Sequence, residues 1–253
     1  ILQDAPSHQQ TLGSLEAMVR AGHEANVAVG ILESCLHSQD EYARLVSVWQ
    51  DFLAVSDDLD ERIQIRLKIA NTQDEYLGDA HAAFLAYGDA VREDATHDPA
   101  VEGLEALARR LELWTDYVSV LGEIVESIPN ELVARDFHLR MARTFDEELK
   151  DVEQAIAQYV RVLEVDPDYD DALLALDRLY LHSEEWEKLA DVLLMRIERV
   201  EPEDRVDLLM RLGLLFEQQL ADQGQALAVF RDVLAIRDSH QDSIDGLERL
   251  FAA

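Results

Sequence analysis

One cysteine, Cys35, in 253 residues excludes an internal disulfide framework and favours a reducing compartment. Five prolines and ten glycines are too few for coil or a strand-and-turn chain, and suit long amphipathic helices instead. No stretch approaches the roughly 18 consecutive apolar residues of a membrane span. The longest notable run is Val27-Ala28-Val29-Gly30-Ile31-Leu32. Basic residues are scarce as well, 22 against 53 acidic, for a formal charge of -31. Nucleic acid and anionic membrane surfaces both require a basic stripe, so neither is an expected partner. No glycine-rich phosphate loop, Gly-x-Ser-x-Gly elbow or paired-cysteine motif occurs. The sequence therefore predicts no enzyme, no cofactor and no metal site.

What the chain does have is a period. Trp114 and Trp186 stand 72 residues apart, and a further step back reaches Tyr42. Ala70 and Ala142, Thr72 and Thr144, Leu77 and Leu149, Asp79 and Asp151, and Tyr87 and Tyr159 share that offset, and Ser7-His8-Gln9 echoes Ser239-His240-Gln241. Self-similarity of this kind marks a stacked array whose units bury their apolar faces against their neighbours. Within one period the apolar spacing gives four helices. The clearest carries Val152, Ala155, Ile156, Tyr159, Val160 and Leu163 and stops at Asp166-Pro167. Breaks at His182-Ser183, Glu201-Pro202 and Ala221-Asp222 separate the next three, with connections short enough for antiparallel pairs.

The run Leu212-Gly213, Phe216, Ala226, Phe230 and Val233 resembles the tetratricopeptide repeat. The same positions one period earlier read Met141-Ala142, Phe145, Ala155, Tyr159, Val162 and Pro167, and before that Ile69-Ala70, Gln73, Ala83, Tyr87 and Ala90. Small residues at the Gly and Ala positions allow close helix approach, and aromatics fill the space between pairs. An extra residue lies between the aromatic and the Ala in the Phe145 and Phe216 copies, and Gln73 stands where an aromatic is usual. The resemblance, which extends to acidic multi-repeat proteins of bacteria, implies an all-α solenoid of about 14 helices in antiparallel pairs, wound as a right-handed superhelix. One continuous array over residues 1–253 is expected, with units near 7–41, 42–113, 114–185 and 186–253. Starting at Ile1 and ending within the pattern, it reads as a segment of a longer protein or one with its leader removed, with a cytoplasmic location expected.

Repeat register also disposes of tempting chemistry. His97 and His240 occupy the position of Tyr169 before a helix, and His37 and His182 close helices, so these are packing or capping positions. Cys35 and His37 point to different faces of one helix, which leaves no nucleophile and base pair. Asp166, Asp168, Asp170 and Asp177 imitate a calcium loop, but Asp171 stands where that loop needs Gly. Between Asp146 and Asp171 ten carboxylates face only Lys150 and Arg161. Two readings of such a field stay open: it only keeps the protein soluble, or it steers a basic partner.

By resemblance to the family, a partner groove is lined by the first helix of each pair. The corresponding residues are Asn71, Asp74, Glu75, Arg143, Asp146, Glu147, Arg178, Leu214, Glu217 and Gln218. The expected function is a non-enzymatic scaffold or adaptor presenting a concave acidic surface to a protein or peptide, a basic one if the field steers association. The alternative is a structural or regulatory arm of a larger protein that self-associates through its ends.

Overall fold

The computed structural model describes residues 8–252, so Ser7 of the terminal echo lies outside the described residues. These form fourteen α-helices and no strand. They are α1 (Gln9–Arg20), α2 (Ala25–His37), α3 (Tyr42–Leu53), α4 (Leu59–Glu75), α5 (Ala80–Glu93), α6 (Asp98–Leu111) and α7 (Trp114–Val125), followed by α8 (Glu131–Thr144), α9 (Val152–Val165), α10 (Asp170–His182), α11 (Trp186–Ile197), α12 (Pro202–Gln218), α13 (Gln223–Ile236) and α14 (Gln241–Ala252). The fold is an all-α, tetratricopeptide-like array of antiparallel helix pairs. It divides into two compact units, residues 1–133 and 134–253.

The 72-residue period is set by two turn types that alternate. In the first, a left-handed residue precedes the aromatic helix start: Asp40, Glu112 and Glu184 each have φ of 57°. The next N–H then bonds five residues back, from Glu41 to Leu36, Leu113 to Ala108 and Glu185 to Tyr180, before Tyr42, Trp114 and Trp186 open α3, α7 and α11. This is a left-handed closure that satisfies carbonyls orphaned at a helix end. In the second type the left-handed residues are Gly78, Lys150 and Ala221. The following Asp N–H reaches six residues back, from Asp79 to Gln73, Asp151 to Phe145 and Asp222 to Phe216. Each Asp side chain then caps the next helix by accepting from Ala82, Gln154 or Gln225.

This wider closure absorbs the extra residue seen in the sequence, and it does so in the Gln73 copy as well as in the Phe145 and Phe216 copies. At Phe145–Leu149 it becomes a π-helical turn.

In the first unit, Leu12, Leu32, Leu36, Leu45, Trp49, Phe52 and Ile69 are buried in one core. Tyr87 lies so close over Gly103 that a Cβ there would stand 2.3 Å from its ring. In the second unit, Leu173, Leu176, Leu193, Leu209 and Leu212 form the centre of the core. Phe230, fully buried, lies between Gly213 of α12 and Gly246 of α14. A buried carboxylate, Asp177, ties three helices by accepting from Arg196 of α11 and from Arg211 of α12 at 2.6 Å. The matched pair Thr72 and Thr144 is buried in both copies.

Candidate functional site

In the first unit the three expected groove residues close α4. Asn71 accepts a hydrogen bond from the Tyr87 hydroxyl at 2.7 Å. Asp74 accepts from both terminal guanidinium nitrogens, Nη1 and Nη2, of Arg110 of α6. Glu75 is exposed, with no hydrogen bond or ion pair among the described residues. Burial pushes the Tyr87 phenol up, and the Asp74 and Glu75 carboxylates push it further in the same direction.

In the second unit, Arg143 and Asp146 belong to α8 and its π turn, and they engage α10 reciprocally. Arg143 bonds Asp171 at 2.9 Å, while Arg178 bonds Asp146. The Tyr159 phenol beneath them is pushed up to about 12, first by burial and then by Asp146 and Glu147, against Arg143 and Arg178. Leu214, Glu217 and Gln218 lie in the last turn and a half of α12. Glu217 accepts from Arg249 of α14 at 2.8 and 3.0 Å, which holds its carboxyl below the usual range.

One pattern runs through both units. A carboxylate at the end of one first helix meets an arginine on the first helix of the next pair, as Asp74 meets Arg110, Asp146 meets Arg178 and Glu217 meets Arg249. The arginine side chains are 50–60% exposed. Such bridges stabilise by about 0–1 kcal/mol each, and their main effect is to neutralise the face. Of the ten expected residues, only Glu75, Glu147, Gln218 and Leu214 have no charged or hydrogen-bonded partner among the described residues.

Two residues of this face escaped the sequence reading. Leu174 and Leu181 of α10 are each 51% exposed. At i and i+7, with Arg178 between them at i+4, they share a stripe with it. The core side of α10 is already filled by Ala172, Leu173, Leu176, Leu179 and Tyr180, so these leucines are surplus to packing. That surplus was the available signal.

Of the histidines assigned to packing or capping positions, all four lie at helix ends, but His97 makes no side-chain cap bond. His97 and Tyr169 are N-cap residues, and His240 directly precedes α14. His37 and His182 both end helices, but counted from Tyr42 and Trp186 they are one residue out of register: the two turns close alike, so His37 aligns with Leu181 and His182 with Ser38. His37 packs its ring on Tyr42 and Tyr76, whereas His182 is exposed. Asp166, Asp168 and Asp177 of the calcium-like segment all accept from arginines: Arg135, Arg199, and the Arg196 and Arg211 pair. Among the described residues no group of three or more His, Cys, Asp or Glu could hold a metal ion.

Three clefts lie away from the expected residues, one of them, about 660 Å³, lined by Gly22, Asn26, Phe52, Val55 and Asp58. A second of about 360 Å³ between α2 and α4 is lined by Val29, Gly30, Glu33, Ile65 and Lys68. The third, about 900 Å³ beside α9, α10 and α11, is lined by Val152, Ile156, Val160, Tyr180 and Lys188.

Neither a protein-family model nor a curated protein matches the sequence. Solved structures do. The C-terminal part of a TPR repeat-containing protein from Cytophaga hutchinsonii is similar at 13% identity and a TM-score of 0.41, covering 97% of this chain and 96% of that one. YrrB, described as a TPR protein with an unusual peptide-binding site, is 12% identical over 76% of this chain and 98% of its own, with a TM-score of 0.41. The TPR2AB domain of yeast Sti1 in its pHSP90 complex is 12% identical over 99% and 93%, with a TM-score of 0.33.

Proposed function

We propose that the chain is a non-enzymatic binding array that holds a protein or peptide segment against the outward face of its first helices. The reading is carried by Leu174 and Leu181, two half-exposed leucines on one stripe that the core does not use. Arg178 between them is neutralised by Asp146, and exposed Glu147 adds uncompensated negative charge on the neighbouring turn. Leu214 and Gln218 extend the face along α12, and Asn71 and Glu75 supply its counterpart in the first unit. The ligand that fits is an amphipathic segment with apolar anchors and basic flanks, drawn in by the -31 charge. Among the described residues no helix is long and apolar enough to cross a membrane. A reducing, cytoplasmic setting is proposed on the ground that the chain holds one cysteine and so no internal disulfide framework.

The test is capture of binding proteins at low salt with the native chain, with Leu174→Ser/Leu181→Ser, and with Glu147→Lys. The leucine variant should lose the bound species, and Glu147→Lys should lose what a salt wash also removes. A captured set unchanged by all three perturbations refutes the assignment. Self-association is the second reading, favoured by Phe251, which is 69% exposed on α14. Light scattering decides it, since a monodisperse monomer at high concentration excludes it.

A further inference from the structure

Three rings from three helices meet at the surface of the first unit. Tyr42, which opens α3, stacks on Tyr76, the C-cap of α4, with centroids 4.2 Å apart and planes 20° from parallel. His37, the last residue of α2, meets both edge-on at 5.5 and 5.9 Å. Tyr76 is 50% exposed, and His37 is exposed beside it.

Repeat register accounts for only one of these rings. Tyr42 stands at the aromatic helix start shared with Trp114 and Trp186. The position of Tyr76 is occupied by Glu148 and Gln219 in the other two copies of the same turn, both exposed, and there the turn closes in the same way. The fold therefore does not require an aromatic at residue 76. A half-exposed tyrosine there is surplus to the turn and extends an exposed aromatic face formed with Tyr42 and His37.

The chemistry of the covering group follows from the rest of the chain. Trp49, Tyr169 and Tyr180 each have one of the chain's own cations over the ring: Lys68 at 5.9 Å, Arg135 at 5.3 Å and Lys188 at 5.5 Å. Among the described residues the Tyr42 and Tyr76 stack has no such cation. The segments that build it, residues 37–43 and 69–91, contain no lysine or arginine at all. Carboxylates are present instead. Asp40 is exposed and accepts from the Tyr42 hydroxyl at 3.2 Å, and exposed Glu75 directly precedes Tyr76. Aromatic faces bordered by carboxylates attract a cation, and a planar guanidinium can stack on a ring while its edge donates to an acid.

We infer that the His37, Tyr42 and Tyr76 cluster, flanked by Asp40 and Glu75, is a seat for an arginine side chain of a basic partner. This rests on the binding reading above and locates a second contact, separate from the leucine stripe of the second unit. The probe is a short glycine–arginine peptide added to the whole chain, with tyrosine and histidine ring resonances followed by NMR. A lysine peptide of equal charge and a neutral citrulline peptide are the comparisons. The arginine peptide should shift the rings of residues 37, 42 and 76 and bind more tightly than the lysine peptide, while the citrulline peptide should leave them unmoved. Tyr76→Gln, the residue at the third copy's turn, should weaken arginine binding about two- to fivefold, and Tyr76→Phe should retain it. Equal binding of the lysine peptide reduces the effect to general attraction and overturns the assignment, as does unchanged affinity in a Tyr76→Gln variant whose thermal unfolding matches the parent. Leu174→Ser/Leu181→Ser should leave the ring shifts intact, so failure of the stripe and failure of the seat are told apart.

Discussion

Gly213 should be irreplaceable although it sits inside a helix, where glycine is normally a weakness. A Cβ at this position would lie 2.6 Å from Cε1, 2.9 Å from Cδ1 and 3.2 Å from Cζ of Phe230. The ring cannot retreat, because Gly246 closes on its other edge, where a Cβ would come to 2.8 Å. Gly213→Ala therefore forces apart two helix contacts at a fully buried ring. Overpacking of this kind costs about 1–3 kcal/mol, and two atoms inside 3.0 Å with a third at 3.2 Å place it in the upper half of that range. The gain from replacing an interior helical glycine, about 1 kcal/mol, offsets part of it. The net loss should be about 1–2 kcal/mol, read as a lower urea midpoint with unchanged slope. Gly122→Ala is the internal control, since nothing lies within 4 Å of its Cβ. It should stabilise by about 0.4–1 kcal/mol through the same propensity term. The double variant Gly213→Ala/Phe230→Leu should recover part of the loss by relieving the overlap. If Gly213→Ala is as stable as the parent or more so, the close-approach account of α12 and α14 is wrong.

Asp177→Asn leaves the Arg196 and Arg211 guanidiniums around a neutral amide in a site where the carboxylate is 5% exposed. A loss of about 2 kcal/mol is expected by urea titration, less than for a fully buried pair because Arg211 is partly solvated. Ala221→Gly, at a residue with φ of 53°, should stabilise by about 0.5–1 kcal/mol, because alanine is disfavoured in the left-handed region. For pH, burial raises the Glu93 carboxyl, but hydrogen bonds from Arg62 and Arg66 outweigh it and leave the group below the ordinary 4.5. Its folded value being the lower, the unfolded chain takes up protons first, so the stabilisation is complete above about 4.5 and is lost as pH falls through the folded value. Glu93→Gln should therefore show a shallower loss of stability in acid, followed by circular dichroism at fixed urea; an identical acid limb would refute the pairing.

The helices were legible because each repeats an i, i+3, i+4 apolar stripe, and the period was legible because Tyr42, Trp114 and Trp186 open equivalent helices. The reason for a 72-residue unit was not, because it lies in backbone closures. Of the left-handed residues in the second turn type, only Gly78 announces itself chemically, while Lys150 and Ala221 do not. The fate of the charged groove residues was hidden for another reason. An isolated helix shows Arg143 and Arg178 as exposed cations, but their carboxylates lie on a neighbouring first helix, far along the chain.

That distance is itself regular, and it sorts the face into bridged and open positions. Asp74 to Arg110 is a step of 36 residues, and Asp146 to Arg178 and Glu217 to Arg249 are steps of 32. The residues that follow each carboxylate are Glu75, Glu147 and Gln218. The same steps from these lead to Leu111, Leu179 and Leu250, which offer no charge. Leu179 is buried in the core and Leu111 and Leu250 are uncharged, so the step that delivers an arginine to one position delivers no charged partner to the next. The formal charge of -31 is accordingly a poor measure of what a partner meets on this face. Among the ten expected groove residues the unbridged carboxylates are Glu75 and Glu147, and Glu75 directly precedes Tyr76 of the aromatic stack.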